Sequence, residues 1–178
     1  MRPVDYLLSI DPGAHSAWVL WVREASTWTP TRHGRESAPT VVECRRLLGT
    51  LLPDWSRAAV VVEGQYQEPR ARAEKHGRRA SPWYDVIALV ESRCRWQHAA
   101  ELAGAAVEVA APGIWIPAMT RGAPGETSKA RIRWVVERRL PGMKLWRDEW
   151  DAAGLGCWWV QGRGGRVIVD ALKGDDND

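Results

Sequence analysis

The stretch YLLSIDPGAHSAWVLWV, residues 6–22, decides the fold of this chain. The runs YLLSI and AWVLWV have the composition of β-strands, and Pro12-Gly13 between them predicts a tight turn. The first strand ends in a carboxylate, Asp11, at the edge of the predicted core. The role of that acid is the question that the rest of the sequence has to answer.

Length and composition indicate one soluble globular domain. The chain has 178 residues, enough for a hydrophobic core, and its 45% hydrophobic and 26% charged residues are ordinary values. No apolar run is long enough to span a membrane, and the N-terminus lacks the pattern of a signal peptide. Cys44, Cys94 and Cys157 have no paired spacing, which favours reduced thiols in a cytoplasmic protein over disulfides or zinc ligands.

Positive charge is concentrated in one segment, PRARAEKHGRR at residues 69–79, although the formal net charge of the chain is only +3. A local basic block suits a polyanion such as DNA. On charge alone, a solvated loop is the stronger interpretation. The candidate DNA contacts in this block are Arg70, Arg72, Lys75, Arg78 and Arg79.

Hydrophobic periodicity predicts an α/β fold. A third strand at residues 26–31 would complete a meander with the first two strands. Further strands are predicted at 58–63 and 106–111, and helices at 41–51, 81–104, 132–140 and 147–159. Because strands joined through helices are parallel with right-handed crossovers, we expect a mixed five-stranded sheet with helices on both faces. Residues 1–160 would form this domain, and 161–178 a Gly-rich joint with a flexible acidic tail.

Apolar, proline and glycine positions give further expectations for the helical part of the chain. In the helix at 81–104, one apolar face would carry Trp83, Ile87, Val90 and Cys94. After the strand at 106–111, Pro112-Gly113 predicts a break in regular structure. In the last helix, Gly154 and Gly156 would weaken the helix unless they permit close packing.

Four carboxylates occur at the ends of predicted elements. Asp11 and Glu63 end strands that should be parallel neighbours, so both would emerge at the same sheet edge. Asp148 and Asp151 are three residues apart at the start of the last helix and would share a face. Four converging carboxylates repel one another, and divalent cations remove that conflict. The pattern therefore predicts a site for two Mg²⁺ ions, with Mn²⁺ as an alternative.

The motifs SIDPG, VVVEGQY and RDEWDAAGLG resemble those of the RuvC-type Holliday junction resolvases in the RNase H-like superfamily. The resemblance implies an RNase H-like fold and makes Asp11, Glu63, Asp148 and Asp151 the catalytic, metal-binding acids. It also implies a crossover junction endodeoxyribonuclease that cuts four-way or otherwise branched DNA by paired nicks. A phage-encoded member would act in the cytoplasm of its host.

The resemblance also identifies candidate DNA contacts outside the basic block. Tyr66 takes the place of a family aromatic that contacts bases, and a tyrosine there can stack on an unpaired base. An exposed tyrosine in a loop is nearly as good an interpretation. Ser128 and Lys129, at a predicted helix N-terminus, could hold a backbone phosphate, although ordinary capping by Thr127 or Ser128 explains the same residues.

Two neighbouring residues are left out of the predicted site. Glu149 points elsewhere on the helical wheel from Asp148 and Asp151, and His15 has nothing beside it that would make it a metal ligand. His15 is therefore expected at the surface.

A junction resolvase needs matched active sites because a four-way junction has two-fold symmetry. We expect a homodimer whose interface is the helix at 81–104, as the family resemblance implies. Two alternatives remain open at this point. An RNase H-like nuclease could instead act on RNA–DNA hybrids, flaps or forks, and a non-catalytic chain could serve as a structural DNA-binding module.

Overall fold

The strand that ends in Asp11 lies inside a mixed β-sheet. The computed structural model describes residues 4–52, 55–64, 83–162 and 166–167. The strands in these ranges are β1 (Tyr6–Asp11), β2 (His15–Glu24), β3 (Thr27–Ser37), β4 (Ala58–Glu63), β5 (Ala106–Ala110) and β6 (Arg166–Val167). Their order in the sheet is β5-β4-β1-β2-β3-β6. The predicted five-stranded α/β sheet is confirmed, and a two-residue sixth strand extends its β3 edge.

Strand direction follows the connections. The short turns make β1 and β2, and then β2 and β3, antiparallel. The connections that contain helices make β4 parallel to both β1 and β5. In the β1–β4 register Ile10 lies opposite Val62, so the next residues along, Asp11 and Glu63, leave the sheet at the same edge.

Helices cover both faces of the sheet. In the described ranges they are α1 (Val41–Leu51), α2 (Trp83–Leu102), α3 (Pro112–Met119), α4 (Ser128–Arg139) and α5 (Glu149–Gly162), with a 3₁₀ turn at Trp55–Arg57. Alternate β1 side chains point to opposite faces, as strand geometry requires. Leu7 packs in one core with Leu155 of α5, whereas Leu8 packs in a second core with Leu48 of α1 and Trp96 of α2.

Tryptophans in these cores pack against glycines. A Cβ atom at Gly156 would lie 2.4 Å from the indole of Trp21, and one at Gly34 would lie 2.6 Å from Trp18. A Cβ at Gly154 would lie 2.9 Å from Ile132. Gly154 and Gly156 of α5 therefore permit close packing, which is the condition under which the sequence analysis accepts them in a helix.

Several element boundaries differ from the sequence prediction. Strand β3 continues through the polar residues 32–37, because they pair with β2 on a part of the sheet that is partly exposed to solvent. Pro112 begins α3 where a break was predicted, because proline is favoured in the first turn of a helix. Helix α5 begins at Glu149 and ends at Gly162, so it runs two residues past the predicted domain end.

The apolar face predicted for the helix at 81–104 is not the face that packs on the core. Ile87 is 42% exposed and Cys94 is also exposed. The buried face of α2 carries Trp96, Ala99 and Ala100 instead. Both faces of this helix carry apolar residues, so periodicity alone could not choose between them. Within the described ranges, no helix is both long and apolar enough to cross a membrane.

Two helical glycines provide a paired test of the packing. Gly156→Ala should destabilise the protein by about 1–3 kcal/mol, because the added methyl group overlaps the Trp21 indole. Gly49→Ala, on the exposed side of α1 with open space around it, should stabilise it by up to about 1 kcal/mol. Denaturant unfolding of both variants measures the two shifts, and equal shifts would contradict the packing.

Candidate metal centre

Asp11 and Glu63 form a close pair of carboxyl groups at the edge of the sheet. Burial raises the pKa of Asp11 well above its usual range, and the charge of Glu63 raises it further. Burial also raises the pKa of Glu63, while hydrogen bonds from Asp11 and Trp115 partly offset that effect. The Trp115 indole Nε1–H donates to Glu63 Oε1 at 3.2 Å. Burial and mutual repulsion thus favour the protonated form of this pair.

The start of α5 brings two more carboxylates to the same edge. Asp148 is the residue before the helix, and its carbonyl accepts the backbone N–H groups of Asp151 and Ala152, each at 3.2 Å. Asp151 lies in the first turn and is buried. One carboxylate oxygen from each of Asp11, Asp148 and Asp151 lies within 4.8 Å of the others. Three of the four predicted acids therefore lie close together, and Glu63 interacts with Asp11.

Two cations face this acidic cluster, which consists of Asp11, Glu63, Asp148 and Asp151. Lys129 Nζ lies 3.5 Å from Asp148 Oδ1 and 3.3 Å from Asp151 Oδ2. Arg35 Nη2 lies 3.8 Å from Asp148 Oδ2. These contacts offset part of the negative charge: the pKa of Asp151 is raised by burial and lowered in part by Lys129.

Ser128 and Lys129 lie at the start of α4, as the sequence predicts. The N-cap of this helix is Thr127, whose Oγ1 accepts the backbone N–H of Ala130 at 3.2 Å. Ordinary capping by Thr127 is therefore present. Ser128 is exposed. Lys129 contacts the acidic cluster, a contact that the sequence interpretation did not include.

Helix α2 holds the turn that follows Asp11. The Ser92 hydroxyl donates to the carbonyl of Gly13 at 3.1 Å, and the Trp96 indole N–H donates to Ser16 Oγ at 2.9 Å. The Ser16 and Ser92 hydroxyls are 3.3 Å apart and both side chains are buried. These contacts fix the backbone beside Asp11. Sequence reasoning could not find these contacts, because a serine and a tryptophan on a helix are typical of ordinary packing.

Glu149 has a role that the sequence interpretation missed. Its side chain is 3% exposed, and Oε2 accepts the backbone N–H of Trp146 at 2.7 Å. The same oxygen lies 3.2 Å from His33 Nδ1. Glu149 thereby fixes the turn at 146–149 that presents Asp148. A Glu three residues after a helix-start position is half of a capping box, but no Ser or Thr completes the signal here.

The donor set of the acidic cluster fits a hard divalent cation. All of its potential ligand atoms are carboxylate oxygens, the type that Mg²⁺ and Mn²⁺ prefer. The raised pKa of Asp11 shows that its burial and the neighbouring charges already disfavour the fully ionised cluster, and a cation would relieve this. His15 is exposed at the surface, as expected, and its Nδ1 lies 3.0 Å from Ser37 Oγ.

The remaining predicted DNA contacts lie outside the described residues. These are Tyr66, Arg70, Arg72, Lys75, Arg78 and Arg79. Their roles stay predictions.

Removing one acid should stabilise the protein when divalent ions are chelated. The folded state holds the Asp11 proton more tightly than the unfolded chain does, so this group favours folding at low pH and opposes it as pH rises toward the raised pKa. Asp11→Asn should therefore raise the melting temperature in EDTA at neutral pH by about 2 °C or more, the shift expected from about 1 kcal/mol. The gain should shrink near pH 4, close to the ordinary pKa of ~3.9.

The matched control is Glu24→Gln, an exposed acid at the other end of β2, which should change the melting temperature little. Added Mg²⁺ should stabilise the wild type more than Asp11→Asn, because the ion binds the folded site. Destabilisation by Asp11→Asn in EDTA at neutral pH would contradict the charge balance described here.

Comparison with known proteins gives a likeness of fold. The sequence matches no protein-family model and no curated protein. Thermus thermophilus RuvC matches with a TM-score of 0.59 and 16% identity, over 90% of this chain and 98% of that chain. The same protein in complex with a Holliday junction substrate matches with a TM-score of 0.56 and 15% identity, over 90% of this chain and 96% of that chain.

Fowlpox virus resolvase in complex with substrate Holliday junction DNA matches with a TM-score of 0.52 and 12% identity, over 89% of this chain and 98% of that chain. Sequence identities this low show a shared fold and nothing more. The predicted likeness to RuvC-type resolvases is confirmed at that level. The chain has the RNase H-like fold of the RuvC and poxvirus Holliday junction resolvases over about 90% of its length.

Proposed function

We propose that this chain is a metal-dependent endonuclease that resolves Holliday junctions or other branched DNA by paired nicks. One observation carries the proposal: oxygens of Asp11, Asp148 and Asp151 lie within 4.8 Å of one another at the edge of an RNase H-like sheet. A solvated surface acid needs no such neighbours, and a purely structural site gains nothing from buried like charges.

Asp11, Glu63, Asp148 and Asp151 would hold the metal, Mg²⁺ or Mn²⁺. When bound, a pair of such ions supplies an acidified water and stabilises the leaving oxygen of the phosphodiester. The carboxyl groups must ionise to act as ligands, so the raised pKa of Asp11 would make protons compete with the metal for this site. Glu149, Ser92 and Trp96 keep the backbone beside the ligands in place.

The cations beside the acidic cluster would hold the DNA backbone. Lys129 is 72% exposed at the side chain, and its Nζ reaches the cluster, so it can contact a phosphate placed over the acids. Arg35 lies on the other side of Asp148 and can contact the same strand. Ser128 adds an exposed hydroxyl at the start of α4. Tyr66 and the basic segment 69–79 would extend this surface.

The substrate class is supported by the structural likeness. Thermus thermophilus RuvC and fowlpox virus resolvase have both been solved with a Holliday junction, and each matches about nine tenths of this chain. A junction with two-fold symmetry requires two matched sites, which a symmetric dimer supplies. Helix α2 is the proposed interface, since Ile87 and Leu102 are 42% and 54% exposed there.

Cleavage of a synthetic four-way junction tests the activity. The wild type should nick the junction symmetrically with Mg²⁺ and should not nick it in EDTA. Asp11→Asn and Asp151→Asn should each lose more than about 100-fold in rate, a loss typical of removing one electrostatic contributor to a reacting centre. Both variants should keep junction binding, and Glu24→Gln should cut like the wild type.

Two results would count against this function. Faster cleavage of an RNA–DNA hybrid, flap or fork than of the junction would contradict the substrate. Metal-independent cleavage, or none of any of these structures, would contradict the nuclease itself.

The dimer has its own test. Ile87→Arg places a charge on the exposed face of α2 and should convert the dimer to a monomer in light scattering. The control is Val42→Arg on α1, where the side chain is 76% exposed, and it should leave the dimer intact. A monomeric wild type, or a dimer that withstands Ile87→Arg, would contradict the proposed interface.

A further inference from the structure

Trp146 is placed unlike the other tryptophans of this chain. Its side chain is 70% exposed, the largest value among the tryptophans whose side chains are described. Most of those others are buried in the two cores or packed at their edges. Trp146 belongs to neither core. It lies two residues before Asp148, so an uncovered indole stands beside the acidic cluster.

The backbone that carries this indole is held firmly. The N–H of Trp146 donates to the carboxylate of Glu149 at 2.7 Å, and its carbonyl accepts the N–H of Glu149 at 2.9 Å. The preceding residue, Leu145, packs against the core, as does Trp150 on the other side of the turn. The backbone position of Trp146 is therefore set by the fold, which places its exposed indole at the groove.

Trp146 lines an open groove with a volume of about 780 Å³. The basic residues along it are Arg35, Lys129, Arg133 and Arg147, and Asp148 and Asp151 also line it. Trp150 is a second ring in the groove, with the Arg133 guanidinium 5.4 Å from its centroid. The groove thus combines aromatic rings with a row of cations next to the acids.

Aromatic rings within a basic groove are the features that bind single-stranded nucleic acid, because every base has a face that can stack and every nucleotide a phosphate. We infer that this groove binds an unpaired DNA base stacked on Trp146, with the adjoining phosphate held by its arginines and Lys129. The inference rests on the proposed function and deepens it.

In intact duplex DNA the bases are paired and stacked, so Trp146 would favour DNA that offers an unpaired nucleotide. At a branch point the continuous stack of the duplex is interrupted, so a base there can be displaced at a lower cost. Trp146 would then help to select the substrate, and the base it holds would lie close to the phosphate that faces the acids.

The test uses a short single-stranded oligodeoxynucleotide that contains one 2-aminopurine, with the full-length protein in EDTA. Stacking on Trp146 should quench the fluorescence of the probe. Trp146→Ala should abolish the quenching and weaken binding by roughly 5- to 150-fold, the range for loss of one aromatic–base stack. Trp146→Phe keeps a ring and should retain most of the binding. Because Trp146 is exposed, the alanine variant should keep the wild-type circular dichroism spectrum and melting temperature.

The matched control is Trp134→Ala. Trp134 is also exposed, at 38%, and also has an arginine over its ring, Arg138 at 4.7 Å, but it does not line the groove. This variant should quench and bind like the wild type. Wild-type behaviour of Trp146→Ala, or an equal loss in both alanine variants, would overturn the inference.

Junction cleavage by the wild type with Mg²⁺, measured in parallel, separates the two proposals. If the wild type cuts the junction but Trp146→Ala binds the probe normally, the base site alone is overturned. If binding depends on Trp146 but no branched DNA is cut, the base site is supported and the nuclease proposal is overturned.

Discussion

The electrostatic repulsion among Asp11, Glu63, Asp148 and Asp151 is the constraint on which the rest of this structure depends. Carboxylates that are brought together and partly buried must either keep protons or meet positive charge. Burial and the charge of Glu63 raise the pKa of Asp11, which favours its protonated form, and Lys129 supplies positive charge to Asp148 and Asp151. An arrangement of this kind lowers stability and favours cations, and perturbed carboxyl groups of this kind cluster at functional sites in proteins.

The fold holds these acids together through strand pairing, close helix packing and one buried carboxylate. Parallel pairing of β1 with β4 brings Asp11 and Glu63 to one edge. Close contact between Gly156 and the Trp21 indole allows α5 to lie against the sheet, which delivers Asp151 to the same place. The buried carboxylate of Glu149 then fixes the turn before the helix. The acids themselves lie at the ends of elements, where a small displacement would separate them.

Sequence reasoning succeeded where simple geometric rules apply. Parallel strands end at the same edge, so Asp11 and Glu63 could be paired from their positions alone. Sequence reasoning failed where a side chain is buried by contacts that its own helix does not supply. Glu149 was dismissed from its position on a helical wheel, yet it is buried because the turn before the helix and His33 surround its carboxylate. Sequence alone also did not show which apolar residues of α2 pack on the core, since Cys94 and Trp96 are both apolar and only tertiary packing distinguishes them.

The central claim is that the charge of the acidic cluster is balanced by bound divalent cations. Crystals of the protein soaked in Mn²⁺ and measured for anomalous scattering test it most directly. We expect an anomalous peak among the carboxylates of Asp11, Asp148 and Asp151. Peaks confined to other parts of the surface, with none at this cluster, would contradict it.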